Sequence, residues 1–453
     1  MAAVVIEESK EISSNMKGFI FFFSGQLVSI LGSSIIQFVI TWWITVETQS
    51  ALLLSLSMFI GFIPIIILTP IAGVFVDRWN MKALIAIVDF LQAAVTVVLI
   101  VLFIFNIVTI PIVFIFTAMR GIFQAFHQPA VQALIPIMVP RKHLSRMNSV
   151  SYLFTSVIFL VGPIFGAFLN SLWDIKYILW IDMITFGIAL IPLLIIKIPR
   201  VQKVEAVVKE KRKFFTDFKE GIVFIKNKKG LLPLLGAFSI ANLFIMPLFT
   251  LLNLYVYTNH GGNENNLAFV LAFNQIGTII GSIVFIIWKG FKKKIHGVSI
   301  GIFFMYVGFI TIAFTPIGMF WFMGIGFLII GLMLPVANIS SQTIWQALVP
   351  KEMLGRVMSV RAAIAQFISP LGMILSGLIA EVVDIKYVFL GSAALGLCGL
   401  IFMFIFTPAR HVEQGINYEE EPQMKLKILE IPILDPDQTF EEYPPNIAKP
   451  AVE

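Results

Sequence analysis

The feature that most constrains this sequence is a succession of long apolar runs. A helix needs roughly 20 apolar residues to cross the hydrocarbon core of a bilayer. Runs of about that length or longer fall near 18–46, 50–76, 83–106, 108–138, 143–172, 175–197, 230–258, 267–289, 297–316, 318–348, 351–383 and 385–407. They predict an all-α membrane protein with twelve transmembrane helices. Of 453 residues, 58% are hydrophobic and 13% charged, against about 25% charged in soluble domains. Phe occurs 44 times, a load that lipid-facing helices tolerate and a wetted surface does not. The opening segment, MAAVVIEESKEISSN, lacks the basic start and short apolar core of a cleavable signal peptide. The first span is therefore expected to insert the chain.

Lys and Arg set the orientation, because cytoplasmic loops are enriched in them. With the N-terminus in the cytoplasm, the internal loops collect Arg78, Lys82, Arg141, Lys142, Arg146, the bases from Lys197 to Lys229, Lys289, Lys292, Lys293, Lys294, Lys351 and Arg356. The external loops hold Lys176 and Lys386 alone. The net charge of +6 is thus a topology signal with anionic lipid as its neighbour, not a nucleic-acid surface. Both termini are expected on the cytoplasmic side of the cell membrane. The single Cys, Cys398, excludes an internal disulfide. No His/Cys cluster suggests a metal, no phosphate-cradling Gly-rich loop suggests ATP, and no nucleophile elbow is present. The chain reads as a non-enzyme without cofactors.

The two halves are related. QALIPIMVPRKHLSRMNSV from Gln132 resembles QALVPKEMLGRVMSV from Gln346, and Asp174-Ile-Lys-Tyr177 recurs as Asp384-Ile-Lys-Tyr387. Arg146 to Arg356 and Asp174 to Asp384 share one offset, 210 residues, as an internal duplication requires. Parallel six-helix repeats about an axis along the membrane normal are the architecture of major facilitator transporters, with the substrate site between the halves. The expected division is a cytoplasmic N-terminus (1–17), a six-helix bundle (18–197), a cytoplasmic linker (198–229), a second bundle (230–407) and an acidic tail (408–453). In the linker, Phe214, Phe215, Phe218, Ile222 and Ile225 recur at helical spacing among lysines, which predicts an amphipathic helix on the membrane surface. The tail from His411 carries ten acidic residues against three lysines and is expected to have little fixed structure.

One tight internal loop, Gly73-Val-Phe-Val-Asp77-Arg78-Trp-Asn-Met-Lys82, places an acid at a helix C-terminus, against the negative end of the dipole. Asp77 therefore wants a partner elsewhere. The loop resembles the signature loop of the major facilitator superfamily, so Gly73, Asp77, Arg78 and Lys82 are expected to form a gating latch against the start of the eleventh helix near Lys351. From Gly25 through Pro408 the chain resembles the macrolide-efflux branch of that superfamily, itself similar to enterobactin exporters. The stretches that carry this are GQLVSILGSSIIQ, GVFVDRWNMK, the run RGIFQAFHQPA from Arg120 to Ala130, and Gln132-Ala-Leu. The resemblance implies proton-driven efflux of amphipathic compounds without ATP.

Charges inside a spanning helix cost on the order of 3 kcal/mol and usually have a function. Asp89, Arg120 and Asp182 lie inside the predicted spans, with Arg361 near an edge. They are the proton-coupling candidates, Asp89 or Asp182 taking up the proton and Arg120 tuning it. Related antiporters link an arginine at this place to proton transfer within Arg-x-x-Gln-Gly. Here the chain departs, reading Arg120-Gly-Ile-Phe-Gln124. Gly162-Pro163-Ile-Phe-Gly166 predicts a helix bend and resembles the core of the drug-exporter antiporter motif. Cavity candidates are Gln26, Ser29, Ser33 and Gln37 on the first helix, Asn242 on the seventh, Asn274 and Gln275 on the eighth, and Asn338 on the tenth. The reading is a monomeric exporter of amphipathic drugs, with macrolides foremost. A siderophore or metabolite exporter and a non-transporting receptor or scaffold stay open as alternatives.

Overall fold

The computed structural model describes residues 16–140, 144–196, 214–288, 290–350 and 353–414. Within these, the side chains of several residues, among them 73, 77, 78 and 146, lie outside the description. All regular elements among the described residues are helical: α1 (Met16–Thr48), α2 (Ala51–Arg78), α3 (Met81–Ile104), α4 (Ile110–Met138), α5 (Leu144–Leu172), α6 (Ile175–Ile195), α7 (Phe214–Asn227), α8 (Leu231–Leu254), α9 (Glu264–Trp288), α10 (Lys294–Ala313), α11 (Phe320–Leu348), α12 (Leu354–Phe367), α13 (Ser369–Ala380) and α14 (Ile385–Phe406). A π-helical turn, Tyr255–Asn259, extends α8. Twelve helical segments are long and apolar enough to cross a membrane. Helices suit these sequences because lipid offers no hydrogen bonds and each helix satisfies its own backbone.

The duplication is visible in the helix boundaries. α4 spans Ile110–Met138 and α11 spans Phe320–Leu348, the same 210-residue offset at both ends. Asp174 and Asp384, from the repeated tetrapeptide, are the N-cap residues of α6 and α14. The eleventh span differs from the expected single helix. It is broken at Ile368 into α12 and α13, where Pro370 supplies no backbone N–H to the helix.

Within the expected linker, Phe214–Asn227 form α7, with the side chains of Phe214 and Phe215 outside the description. Its Ile225 is buried, and Phe218 and Ile222 pack against the core. Its Gly221 lies against Val360 and the Arg356 carbonyl of α12, and Glu220 pairs with Arg356 at 2.5 Å. The first residues of the tail are fixed: Pro408–His411 form a 3-10 turn, and the Glu413 carboxylate accepts from the first backbone amides of α10, Lys294 and Ile295, at 2.9 Å each. The rest of the tail, 415–453, lies outside the described residues.

Two ends of the bundle are distinguishable, a basic end carrying Lys82, Lys292, Lys293, Lys294 and Arg356, and a far end carrying the loops at 49–50, 105–109 and 381–384. The largest apolar cluster joins the halves. Among the described residues, the N-terminal half's buried members of it come from Ile35–Leu54, Leu99–Phe116 and Ala167–Leu179. At the basic end the N-terminal half builds a separate cluster from Phe19, Phe22, Leu84, Ile85, Leu134 and Leu193, with no described member from the other half. Far-end contacts cross the seam as Trp42 against Tyr257, ring centroids 5.7 Å apart, and as Gly377 of α13 against Ser55 of α2. A Cβ on Gly377 would overlap the Ser55 hydroxyl.

Candidate functional site

The intramembrane charges of the N-terminal half separate into two pairs. Arg120 of α4 binds Asp182 of α6, Nη1 to Oδ2 at 2.7 Å. Thr96 of α3 also donates to Oδ2 at 3.0 Å, and Ser33 of α1 to Oδ1 at 3.3 Å. Asp182 thus ties four helices together, and its charge is met by a guanidinium and two hydroxyls. Arg120 also covers the Phe116 ring at 5.5 Å. Desolvated cations favour such faces.

Asp89 of α3 does not meet Arg120. Its Oδ1 lies 3.0 Å from Nε2 of His127 on α4. The contact is close enough for an ion pair but lacks hydrogen-bond alignment, and Asp89 Oδ2 is buried with no partner among the described residues. The side chains are 4% and 13% exposed and sit beside the basic-end apolar cluster that Val88 and Ala130 join. His127 is a functional candidate that sequence reasoning missed. It stands in the quoted run RGIFQAFHQPA, and the usable signal was a titratable ring within a spanning segment.

Around the expected helix bend the structure shows close packing. α5 runs unbroken through Pro163, with Gly162 against Ser34 and Gly166 against Ile35 and Phe38 of α1. Of the gating-loop residues, the surroundings of Gly73, Asp77 and Arg78 lie outside the description. Lys82 donates from Nζ to the carbonyls of Leu194 at 2.7 Å and Ile196 at 2.8 Å. It therefore satisfies terminal acceptors of α6 within its own half, at the negative end of that dipole.

The cavity candidates scatter. Ser33 is spent on Asp182. Gln37 is exposed and donates to Thr41 at 3.1 Å. Gln26 is buried, with neither amide atom partnered among the described residues. Ser29 and Gln275 are half-buried. Asn274 is buried between α9 and α11, donating to the Phe327 carbonyl at 3.4 Å. Asn242 and Asn338 line one cavity of about 280 Å³ between α8, α11 and α12. Arg361, which the sequence placed near a span edge, projects into the same cavity. Among the described residues no group of His, Cys, Asp and Glu is arranged to hold a metal ion.

Paired intramembrane charges, a duplicated six-helix bundle and a seam between the halves describe a secondary transporter. The sequence profile of the Major Facilitator Superfamily matches residues 22–369, with an overlapping second match at 259–438. The chain belongs to the major facilitator superfamily. It is 29% identical over 379 residues to Macrolide efflux protein A of Streptococcus pyogenes, covering 83% of this chain and 92% of that one. It is 28% identical over 328 residues to Macrolide efflux protein A of Enterococcus faecalis, covering 72% and 99%. Among solved structures it superposes on a bacterial homologue of the iron transporter ferroportin, with TM-score 0.66 and 14% identity over 86% of this chain and 99% of that one. As a member of the superfamily, the protein is a multi-pass cell-membrane transporter of small molecules.

Proposed function

We propose that this chain exports amphipathic drugs, macrolides foremost, by proton-coupled alternating access. The observation that carries the coupling is the buried Asp89–His127 contact, 3.0 Å across, in the basic-end cluster of the N-terminal half. The pair has no net charge when it holds one proton beyond the Asp89 carboxylate and neutral ring. Gaining or losing a proton leaves a net charge among apolar side chains, which is unfavourable by several kcal/mol until water reaches it. Exchange of that proton is thereby tied to whichever conformation wets the basic end. Arg120 and Asp182 serve as the fixed ion pair of the half rather than as the carrier. The macrolide efflux relatives, matched over most of both chains, support the substrate class.

In this reading the basic end faces the cytoplasm, as the segregation of Lys and Arg requires, and both termini lie there. The shared core at the far end then corresponds to a conformation open inward. The exporter works as a monomer, since each chain holds both halves of the seam. A siderophore or metabolite exporter is the second reading, favoured by Arg361 in the cavity, which has no carboxylate partner among the described residues.

The test is accumulation of labelled erythromycin in efflux-deficient bacteria expressing the chain, with and without a protonophore. Lower accumulation that the protonophore reverses is the expected result. Unchanged accumulation, with the protein verified in the membrane, removes the macrolide reading and leaves the superfamily membership intact.

A further inference from the structure

Arg120 and Arg361 each lie more than a turn inside a spanning helix, and they are treated differently. Arg120 has a carboxylate at 2.7 Å. Arg361 of α12 has none. Its Nη1 donates to Gln342 Oε1 at 2.7 Å, its Nη2 to Ser341 Oγ at 3.3 Å, and its guanidinium lies over Trp345 at 5.5 Å and Phe238 at 6.0 Å. Neutral acceptors and ring faces solvate a cation without neutralising it. Neither arginine comes from the duplication: 210 residues after Arg120 stands Ile330, and 210 before Arg361 stands Ser151.

The space beside Arg361 is the 280 Å³ cavity, whose lining holds no other charged side chain among the described residues. A guanidinium carries five N–H donors in a fixed fork, and the two acceptors above leave donors available. Asn242, Asn338 and Gln366 add amides to the lining, with Asn338 and Gln366 exposed at the rim. The volume is below the roughly 300–1,000 Å³ of drug-sized pockets, so the cavity suits one polar end of a larger molecule.

We propose that the α8–α11–α12 cavity is a subsite for an anionic group, a carboxylate or phosphate, on an amphipathic ligand, with Arg361 as its counter-ion. The inference rests on the reading of the chain as an exporter of amphipathic compounds and names a second substrate class for it. The anionic group completes the fork in a bidentate pair, the strongest geometry a guanidinium forms. The aromatic faces of Trp345 and Phe238 hold the guanidinium plane in place. The apolar body of the ligand extends past the rim into the space between the halves.

The test uses the full chain in nanodiscs of zwitterionic lipid, with labelled cholate and its uncharged methyl ester as probes. Cholate is expected to bind about tenfold more tightly than the ester, as one charge-assisted pair provides. Arg361→Gln removes that preference and Arg361→Lys keeps part of it. Equal binding of acid and ester by the natural chain overturns the proposal, as does a preference that survives Arg361→Gln. The comparison of acid with ester needs no variant, so a misfolded mutant does not blunt it. Discs containing phosphatidylglycerol separate two sources of the group. Loss of cholate binding there makes a lipid headgroup the occupant, whereas unchanged binding makes it a soluble substrate. Erythromycin binding in the same discs reports separately on the macrolide reading. Erythromycin bound without a cholate preference sinks the subsite alone, and the converse sinks the macrolide assignment alone.

Discussion

Glu381, the C-cap residue of α13, accepts a hydrogen bond from the Ser50 hydroxyl, the N-cap of α2, at 2.6 Å. The same oxygen accepts from the Leu52 amide at 2.8 Å. A carboxylate of the second half thus caps a helix of the first, at the favourable end of its dipole. The contact lies at the far end, opposite the expected position of the Asp77 latch. These bonds, Ser50 first and the Leu52 amide next, hold the Glu381 carboxyl below its usual range.

A lowered value in the clasped state fixes the sign of the pH effect. The clasp is fully present above the ordinary carboxylate range and weakens as pH falls through the lowered one. Glu381→Gln should imitate low pH at every pH. It is expected to shift the equilibrium toward a parted far end by about two- to fivefold, the range of one charge at a helix terminus. Spin labels at Val46 and Val382 in a Cys398→Ser background measure it. An unchanged distance distribution between pH 7 and pH 4 in the natural chain contradicts the assignment.

Arg120 and Asp182 should behave as one structural unit. Leaving either partner alone among the helices costs about 3–5 kcal/mol. Arg120→Gln and Asp182→Asn should each lower Tm by about 5–10 °C, while the double variant recovers much of the loss. Thermal unfolding in detergent of the three variants checks this. Additive losses in the double variant would show that the two residues act separately.

Asp89→Asn and His127→Gln should leave expression and Tm nearly unchanged, because in each variant the remaining partner, imidazole or carboxylic acid, has an uncharged form. Transport driven by an imposed pH gradient should fall by about 10-fold or more, in line with loss of a positioned proton-transfer group. Transport of a preloaded substrate down its own gradient should persist. Full proton-driven activity in both variants excludes this pair as the carrier.

Lys82→Met removes two hydrogen bonds to the end of α6 and should lower Tm by about 1–2 °C, as for a cation lost from a helix C-terminus. Lys82→Arg should restore it. A large transport defect in Lys82→Met at unchanged Tm would move Lys82 from the α6 cap back to the gating loop.

The spans and the duplication were legible because both are one-dimensional signals. Apolar length fixes a helix, and one offset of 210 residues relates Arg146 to Arg356, Asp174 to Asp384 and both ends of α4 to those of α11. Partner choice was not legible, because it depends on how helices rotate against each other. Asp89 and Asp182 stood as alternative proton carriers, yet one faces an imidazole and the other a guanidinium. Ser33 read as a cavity residue from its helical face, and only the α1–α6 contact turns it onto Asp182. Arg361 was undervalued because counting from the span edge ignores the break at Ile368 and the hollow beside it.

Asp182, held by α1, α3 and α4 at once, has a mechanical consequence. A hub of this kind holds α1, α3, α4 and α6 together, so relative movement of those four helices would have to break its bonds. The contacts such a movement would leave to change are those of the α2–α13 seam, where Gly377 and Ser55 touch. Under the proposed subsite, pace and taste would occupy separate parts of the molecule: the seam at Gly377 and Ser55, and the hollow beside Arg361.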